Sequence, residues 1–500
     1  MSATPDSFQV EPTKFDEGNT SPSSGIITDE EAPEQRGSDD NAASQENLKN
    51  GHHTFATLFK YSYSLVLLLF SIVVVTATIF TDQTKMAADV NAAVAFILLW
   101  VLTLWLAVME GGQGCLVGLQ PVDKTLYAKS HLKALKVTKL AHEGNNLERF
   151  IVGRQFLVVL VIFVINMCGS ALKGSSVLNM PDFMVEIFIN SGVALILMTT
   201  ILGQLTAQVN AADCMLDFIN NYIMLITTHV SLFIEMSGLL HSVYLVQIIF
   251  AKITGKSSDS QPERTISQAI FFWLRIMFSV AVLSFSLAVT LVALFDGKTT
   301  MYSGVPEPVS VTLLFALMAF VGMMEGMQIA LFAVINLPKD ELQKHPQAAK
   351  VCELVFSRSH LQAFLIGRQI CVTCCMFILA RVATCSVDEG ELTIFGVSAG
   401  IQNFFNTGLL GAIITTIIGS LAWRIIASAF PVAFLSNPLI YLIIRLCLFL
   451  EASGVCSAAW VVARVHRKVA RFEPDVEYLG TPESRESSKQ IADDLELQEN

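Results

Sequence analysis

Eight polar side chains fall in two matched sets within otherwise apolar stretches: Glu110, Gln113, Arg154 and Gln155, then Glu325, Gln328, Arg368 and Gln369. A charge in hydrocarbon costs about 2.5–3.5 kcal/mol on insertion scales, so it normally faces a bundle interior and serves a function. Glu110 and Gln113 are three residues apart, one turn from each other on one helix face, and Glu325 and Gln328 repeat that geometry. Between them lie Gly111 and Gly112 in one set, Gly326 and Met327 in the other. The glycines weaken the helix and permit either close backbone approach or a break that frees carbonyls for a solute or cation. Arg154 and Arg368 need carboxylate partners, and Glu110 and Glu325 are the natural ones if antiparallel neighbouring spans bring the motifs toward one face. The plainer reading makes these helix-pinning ion pairs, or arginines snorkelling to the interface. Four amides, each with two donors and an acceptor to satisfy, fit packing poorly and solute binding well.

A second group of matched positions suits a cation. Glu235 and Glu451 lie deep in apolar runs, each followed shortly by Ser-Gly. Asn190-Ser191-Gly192 matches Asn406-Thr407-Gly408, and Thr199-Thr200 matches Thr415-Thr416, offering the uncharged oxygens that sodium favours. The ordinary role of such hydroxyls is to bond the preceding turn. Arg275 has no counterpart and reads as a snorkelling anchor. Cys371, Cys374 and Cys375 share a helical face, yet no His or Cys cluster elsewhere completes a metal site, so no metal beyond sodium is expected.

These residues must be positioned by helices in lipid. The chain has 53% hydrophobic and 15% charged residues, a balance that excludes an ordinary soluble protein. Ten runs are long enough for spans of about 20 residues, near 57–81, 92–119, 149–171, 183–208, 221–250, 268–295, 307–336, 362–385, 393–420 and 430–463. Sliding the chain by roughly 215 positions superposes the halves, Gly153-Arg154-Gln155 on Gly367-Arg368-Gln369 among other matches. The expected fold is all-α: ten transmembrane helices in two five-helix repeats, 56–251 and 268–463, joined by a linker at 252–267. An odd number of spans per repeat makes the repeats inverted, the plan of many secondary transporters with alternating access. Residues 1–55 read as a disordered acidic tail and 464–500 as a short acidic tail. Lysines in loop 120–148 place that loop and both termini in the cytoplasm, although loop 337–361, with four Lys or Arg, would then lie outside.

The doubled EGxQ and GRQ motifs resemble those of the silicon (silicic acid) transporter family, first known from diatoms, and Cys214-Met215-Leu216-Asp217 resembles a further family motif. The resemblance covers about residues 56–463. It lacks the C-terminal coiled coil of many members, since 464–500 has no sustained heptads. The resemblance implies a non-enzymatic, sodium-coupled importer of silicic acid in the plasma membrane, with the Gln, Gly and Arg motifs along the substrate path. No nucleic acid is implied, and self-association is left open. A carrier or passive channel for another neutral polyhydroxy solute such as boric acid, or a membrane receptor or enzyme, are the competing readings.

Overall fold

The computed structural model describes residues 39–88, 90–172, 174–254, 265–301, 304–335, 337, 342–357, 360–387 and 390–479. Most of the expected N-terminal tail and residues 480–500 therefore lie outside the described residues, as does most of the linker. The described residues are helical and form no sheet, only isolated bridges between Thr84 and Ala171 and between Thr299 and Cys385. We number the helices α1 (Asp39–Phe80), α2 (Ala92–Gly118), α3 (Leu132–Ala141), α4 (Asn146–Gly169), α5 (Val193–Asp213), α6 (Met215–Ile219), α7 (Tyr222–Met236) and α8 (Ser242–Thr254). The second series is α9 (Ile266–Phe295), α10 (Glu307–Val334), α11 (Pro346–Phe356), α12 (His360–Ala383), α13 (Leu409–Ala429), α14 (Pro431–Leu435), α15 (Pro438–Ala452) and α16 (Ala458–Ala470). Helix α1 begins upstream of residue 55, inside the stretch read as tail.

Side-chain oxygens start several of these helices by accepting an orphan N–H: Asn91 from Ala93, Asn221 from Met224 and Asn437 from Leu439. Helices α5 and α13 each begin at a left-handed glycine, Gly192 and Gly408, and each carries one π turn, Ile201–Leu205 and Ile417–Leu421. Helices α4 and α12 are central, each 72% buried along its apolar window, whereas α2 and α9 are 33% buried and turn large apolar side chains outward to lipid. Two glycines permit this central packing. A Cβ at Gly153 would fall on the backbone carbonyl of Ser231, and one at Gly367 on that of Cys447, so α4 touches α7, and α12 touches α15, backbone to backbone.

Among the described residues eight helices, against ten expected spans, are long and apolar enough to cross a membrane. The runs 221–250 and 430–463 break at Gly238 and Gly454, whose φ values of 86° and 74° end α7 and α15. Each of these helices has 15 residues, about 22 Å at 1.5 Å per residue, too short for about 30 Å of hydrocarbon. After α15 the chain lies against the middle of α1: Lys60 packs on Gly454, and the Ser64 hydroxyl donates to Val455 O at 2.6 Å. The other copy repeats this in exchange, with Arg275 on Gly238 and Ser279 donating to Leu239 O at 2.6 Å. Helix α16 likewise packs on α5, and α8 on α13, so each copy is completed by the other's last helix.

The repeats are not inverted. Arg381, at the end of α12, donates to Asn190 O at 3.0 Å, just ahead of α5. A Cβ at Gly408 would meet Thr384 Oγ1 at 3.1 Å and Phe163, near the end of α4, at 3.5 Å. Inversion would set these groups on opposite faces, separated by about 30 Å that no side chain spans. The ends of α4 and α12 instead share one face with the starts of α5 and α13. With four crossing helices per copy, an even number, the copies run in the same direction. Loops 120–148 and 337–361 then lie on one face, which removes the charge conflict left by the inverted arrangement. Cysteines placed at Lys129 and Lys344 are therefore expected to react with an impermeant maleimide from the same side of sealed vesicles; labelling from opposite sides would restore inversion.

Candidate functional site

Helix α2 runs unbroken through Gly111 and Gly112, and α10 through Gly326 and Met327, so no carbonyls are freed there. These positions serve close approach instead: Gly111 faces the Phe218 ring, Gly112 the Met224 thioether and Gly326 the Phe434 ring, and Met327 is fully buried in the core. A different face of each helix carries the glutamate. Arg154 Nη1 donates to Glu110 Oε1 at 3.4 Å and Nη2 to Gln155 Oε1 at 3.2 Å. Arg368 repeats the pattern, Nη1 to Glu325 Oε1 at 3.2 Å and Nη2 to Gln369 Oε1 at 3.0 Å. The arginine side chains are 3% and 7% exposed, which excludes snorkelling.

Residues that the motif search missed complete both clusters. Gln208 donates to Glu110 Oε2 at 3.3 Å, while at the matching position of α13 Arg424 donates to Glu325 Oε2, Nε at 3.1 Å and Nη2 at 3.0 Å. The two halves are joined by Gln369 Nε2 donating to Gln204 Oε1 at 3.1 Å, with Thr373 donating to the same oxygen. Arg154 also feels the charges of Arg424 and Glu325, so the clusters share one electrostatic environment. Gln113 and Gln328 stand one turn further along, half-buried and without a hydrogen-bond partner among the described residues.

The expected ion-binding residues do not gather at one place. Asn190 donates to Glu186 Oε2 at 2.6 Å, and Ser191 bonds Ile187 O at the surface. Asn406 donates to Val387 O at 3.1 Å, and Thr407 bonds Phe404 O at 2.7 Å. Thr199, Thr200 and Thr415 are fully buried beside the π turns, with hydroxyls that have no partner among the described residues, whereas Thr416 bonds Ala412 O at 2.7 Å. Glu235 has Arg149 at 2.6 Å, His241 at 3.6 Å and Arg275 at 3.9 Å, two arginines and a histidine that leave little for sodium. Arg275 is thus no snorkelling anchor; it caps α7 by donating to Glu235 O at 2.7 Å and to Met236 O. Glu451 is half-buried and has no such partner among the described residues. No His, Cys, Asp or Glu group among the described residues could hold a metal ion.

A cavity of about 940 Å³ opens on the face shared by the ends of α4 and α12, lined by Lys85, Glu186, Asn190, Lys298, Arg381 and Glu391 among others. On the opposite face the Cys214–Asp217 segment is a docking point. Asp475 accepts from Met215 N at 2.7 Å and Leu216 N at 3.0 Å, and Asp217 accepts from Glu473 N at 2.8 Å. Burial pushes the Asp475 carboxyl up from the usual range against the pull of those two donors. The first part of the expected C-terminal tail is therefore folded back onto the bundle.

Paired glutamate, arginine and glutamine clusters face one another across the two copies inside an apolar bundle, where ionisable side chains are costly to keep without a function. No curated protein and no solved structure matches the chain. A family model described as silicon transporter matches residues 52–500, and with most of its length covered the chain belongs to the silicon transporter family.

Proposed function

We propose that the protein moves silicic acid across the plasma membrane by alternating access, with the two parallel copies rocking about the Glu110–Arg154 and Glu325–Arg368 clusters and with sodium as the coupling ion. Parallel repeats about an axis along the membrane normal are one of the two known plans for such carriers. The observation that carries the reading is the buried bond from Gln369 to Gln204, which ties the GRQ motif of one copy to the opposing copy between two ion-paired glutamates. Orthosilicic acid is a small neutral tetraol at ordinary pH. Amides supply donor and acceptor together, arginine donates and glutamate accepts, so these clusters match its tetrahedral array of hydroxyls.

Lysine-rich loops 120–148 and 337–361 on one face favour a cytoplasmic position for that face and for both termini. The 940 Å³ cavity then opens outward, as an extracellular mouth. A neutral solute gains nothing from voltage, whereas each sodium charge moved inward is worth about 2.3 kcal/mol per 100 mV. The unpartnered Thr199, Thr200 and Thr415 hydroxyls at the π turns are the sodium ligands we favour.

Proteoliposomes loaded without sodium and diluted into sodium buffer are expected to concentrate labelled silicic acid, and excess boric acid to compete weakly. Arg154→Lys, which loses the planar fork, and Gln113→Ala and Gln328→Ala should each lower uptake severalfold at unchanged protein content. Uptake that never exceeds equilibrium would make the protein a channel, and full activity in all three variants would move the site elsewhere.

A further inference from the structure

The central cluster holds more cation than anion. Among the described residues Arg154, Arg368 and Arg424 form ion pairs only with Glu110 and Glu325, three guanidiniums against two carboxylates, and the side chains are 10% exposed or less. Among the described residues one nitrogen on each arginine has no hydrogen-bond partner: Arg154 Nε, Arg368 Nε and Arg424 Nη1. The carboxylates are already engaged, Glu110 by Arg154 and Gln208, Glu325 by Arg368 and Arg424. The amide oxygens of Gln155 and Gln369 are occupied by Arg154 and Arg368 as well. The excess arises at one place, where α13 carries Arg424 in the position that α5 fills with neutral Gln208.

An uncompensated charge at this depth is costly, and buried guanidinium donors without acceptors add to that cost. The free donors and the single surplus charge call for the same occupant. We propose that the Arg154–Arg368–Arg424 cluster binds one small monovalent anion, chloride in the resting protein, as a structural counterion to the transport site. A dianion would reverse the imbalance, and a neutral solute would satisfy the donors while leaving the charge. The conjugate base of silicic acid is the other monovalent source, and it becomes abundant only at alkaline pH. The inference concerns binding and holds whatever solute the carrier moves.

The test is thermal unfolding of the purified full chain in detergent, with chloride replaced stepwise by gluconate at constant ionic strength. Ligand that binds only the folded state raises Tm with the logarithm of its concentration. A saturable rise of several degrees with chloride is expected, reproduced by bromide and nitrate. Arg424→Gln, which restores neutrality by copying Gln208, should lose the chloride dependence, and Arg424→Lys should keep it at higher midpoint concentration. Arg467→Gln, at the bundle surface, should retain the wild-type response. Equal Tm in chloride and gluconate, or an undiminished response in Arg424→Gln, would overturn the proposal. So would stabilisation by silicic acid alone that grows toward alkaline pH without any chloride effect. None of these readouts requires transport, so a failure of the silicic acid reading would leave the result standing.

Discussion

Glu325→Gln is expected to lower silicic acid uptake per surface copy by two orders of magnitude or more. Glu325 is the shared acceptor for Arg368 on α12 and Arg424 on α13, and both its oxygens are used. Removing one partner of a buried ion pair leaves an uncompensated charge and costs about 3–5 kcal/mol, and each 1.4 kcal/mol is a factor of ten. Here a single change strands two guanidiniums. Glu110→Gln strands only Arg154, because its other donor, Gln208, is neutral, so its loss should be smaller. The pair of variants therefore tests whether the copies are functionally unequal. Adding Arg424→Gln to Glu325→Gln removes one stranded charge, and the double variant should recover part of the loss, a non-additivity that distant sites do not show. Uptake scaled to surface biotinylation is the measurement. Wild-type flux in Glu325→Gln would remove the cluster from the transport path.

The pairing of Glu110 with Arg154 and of Glu325 with Arg368 was legible because a charge in a span must find its opposite, and consecutive spans carry the Glu and the Arg at like spacing in both copies. Arg424 was not, because sliding the chain over itself reveals identities. Gln208 and Arg424 occupy matching positions and differ, and the difference is what unbalances the charge. Gln204 was hidden for a related reason, since its counterpart is Ser420 and its partner sits in the other copy.

The direction of the repeats failed on a more general point. Hydropathy measures how apolar a stretch is and says nothing of whether the chain turns back within it. Runs 221–250 and 430–463 are mainly apolar along their whole length, yet Ser237-Gly238 and Ser453-Gly454 allow the left-handed turns that stop α7 and α15 short of the far face. Counting each run as one crossing gave five per copy and hence inversion. The exchange of α8 and α16 between copies lies further out of reach, because it depends on which surfaces meet and not on any local preference.

Gly153→Ala and Gly367→Ala are expected to abolish surface expression of the folded protein, although each adds one methyl group far from any loop. In helices α4 and α12 these glycines meet backbone, the Ser231 and Cys447 carbonyls, which cannot rotate aside as a side chain can. Overpacking commonly costs about 1–3 kcal/mol when side chains can shift, and more where only whole helices can move. The closeness has a use: it seats α7 beside α4, which lets Arg149 reach Glu235 at 2.6 Å, and it brings the bundle near enough for Arg154 and Arg368 to stay dry. Gly114→Ala is the matched control, since a Cβ there meets nothing within 4 Å, and it should express and transport normally. Fluorescence-detected size exclusion of tagged variants reads the outcome. A monodisperse peak of normal height for Gly153→Ala would mean that α4 and α7 sit further apart than described, and the GRQ glycine would then have to act on the solute itself.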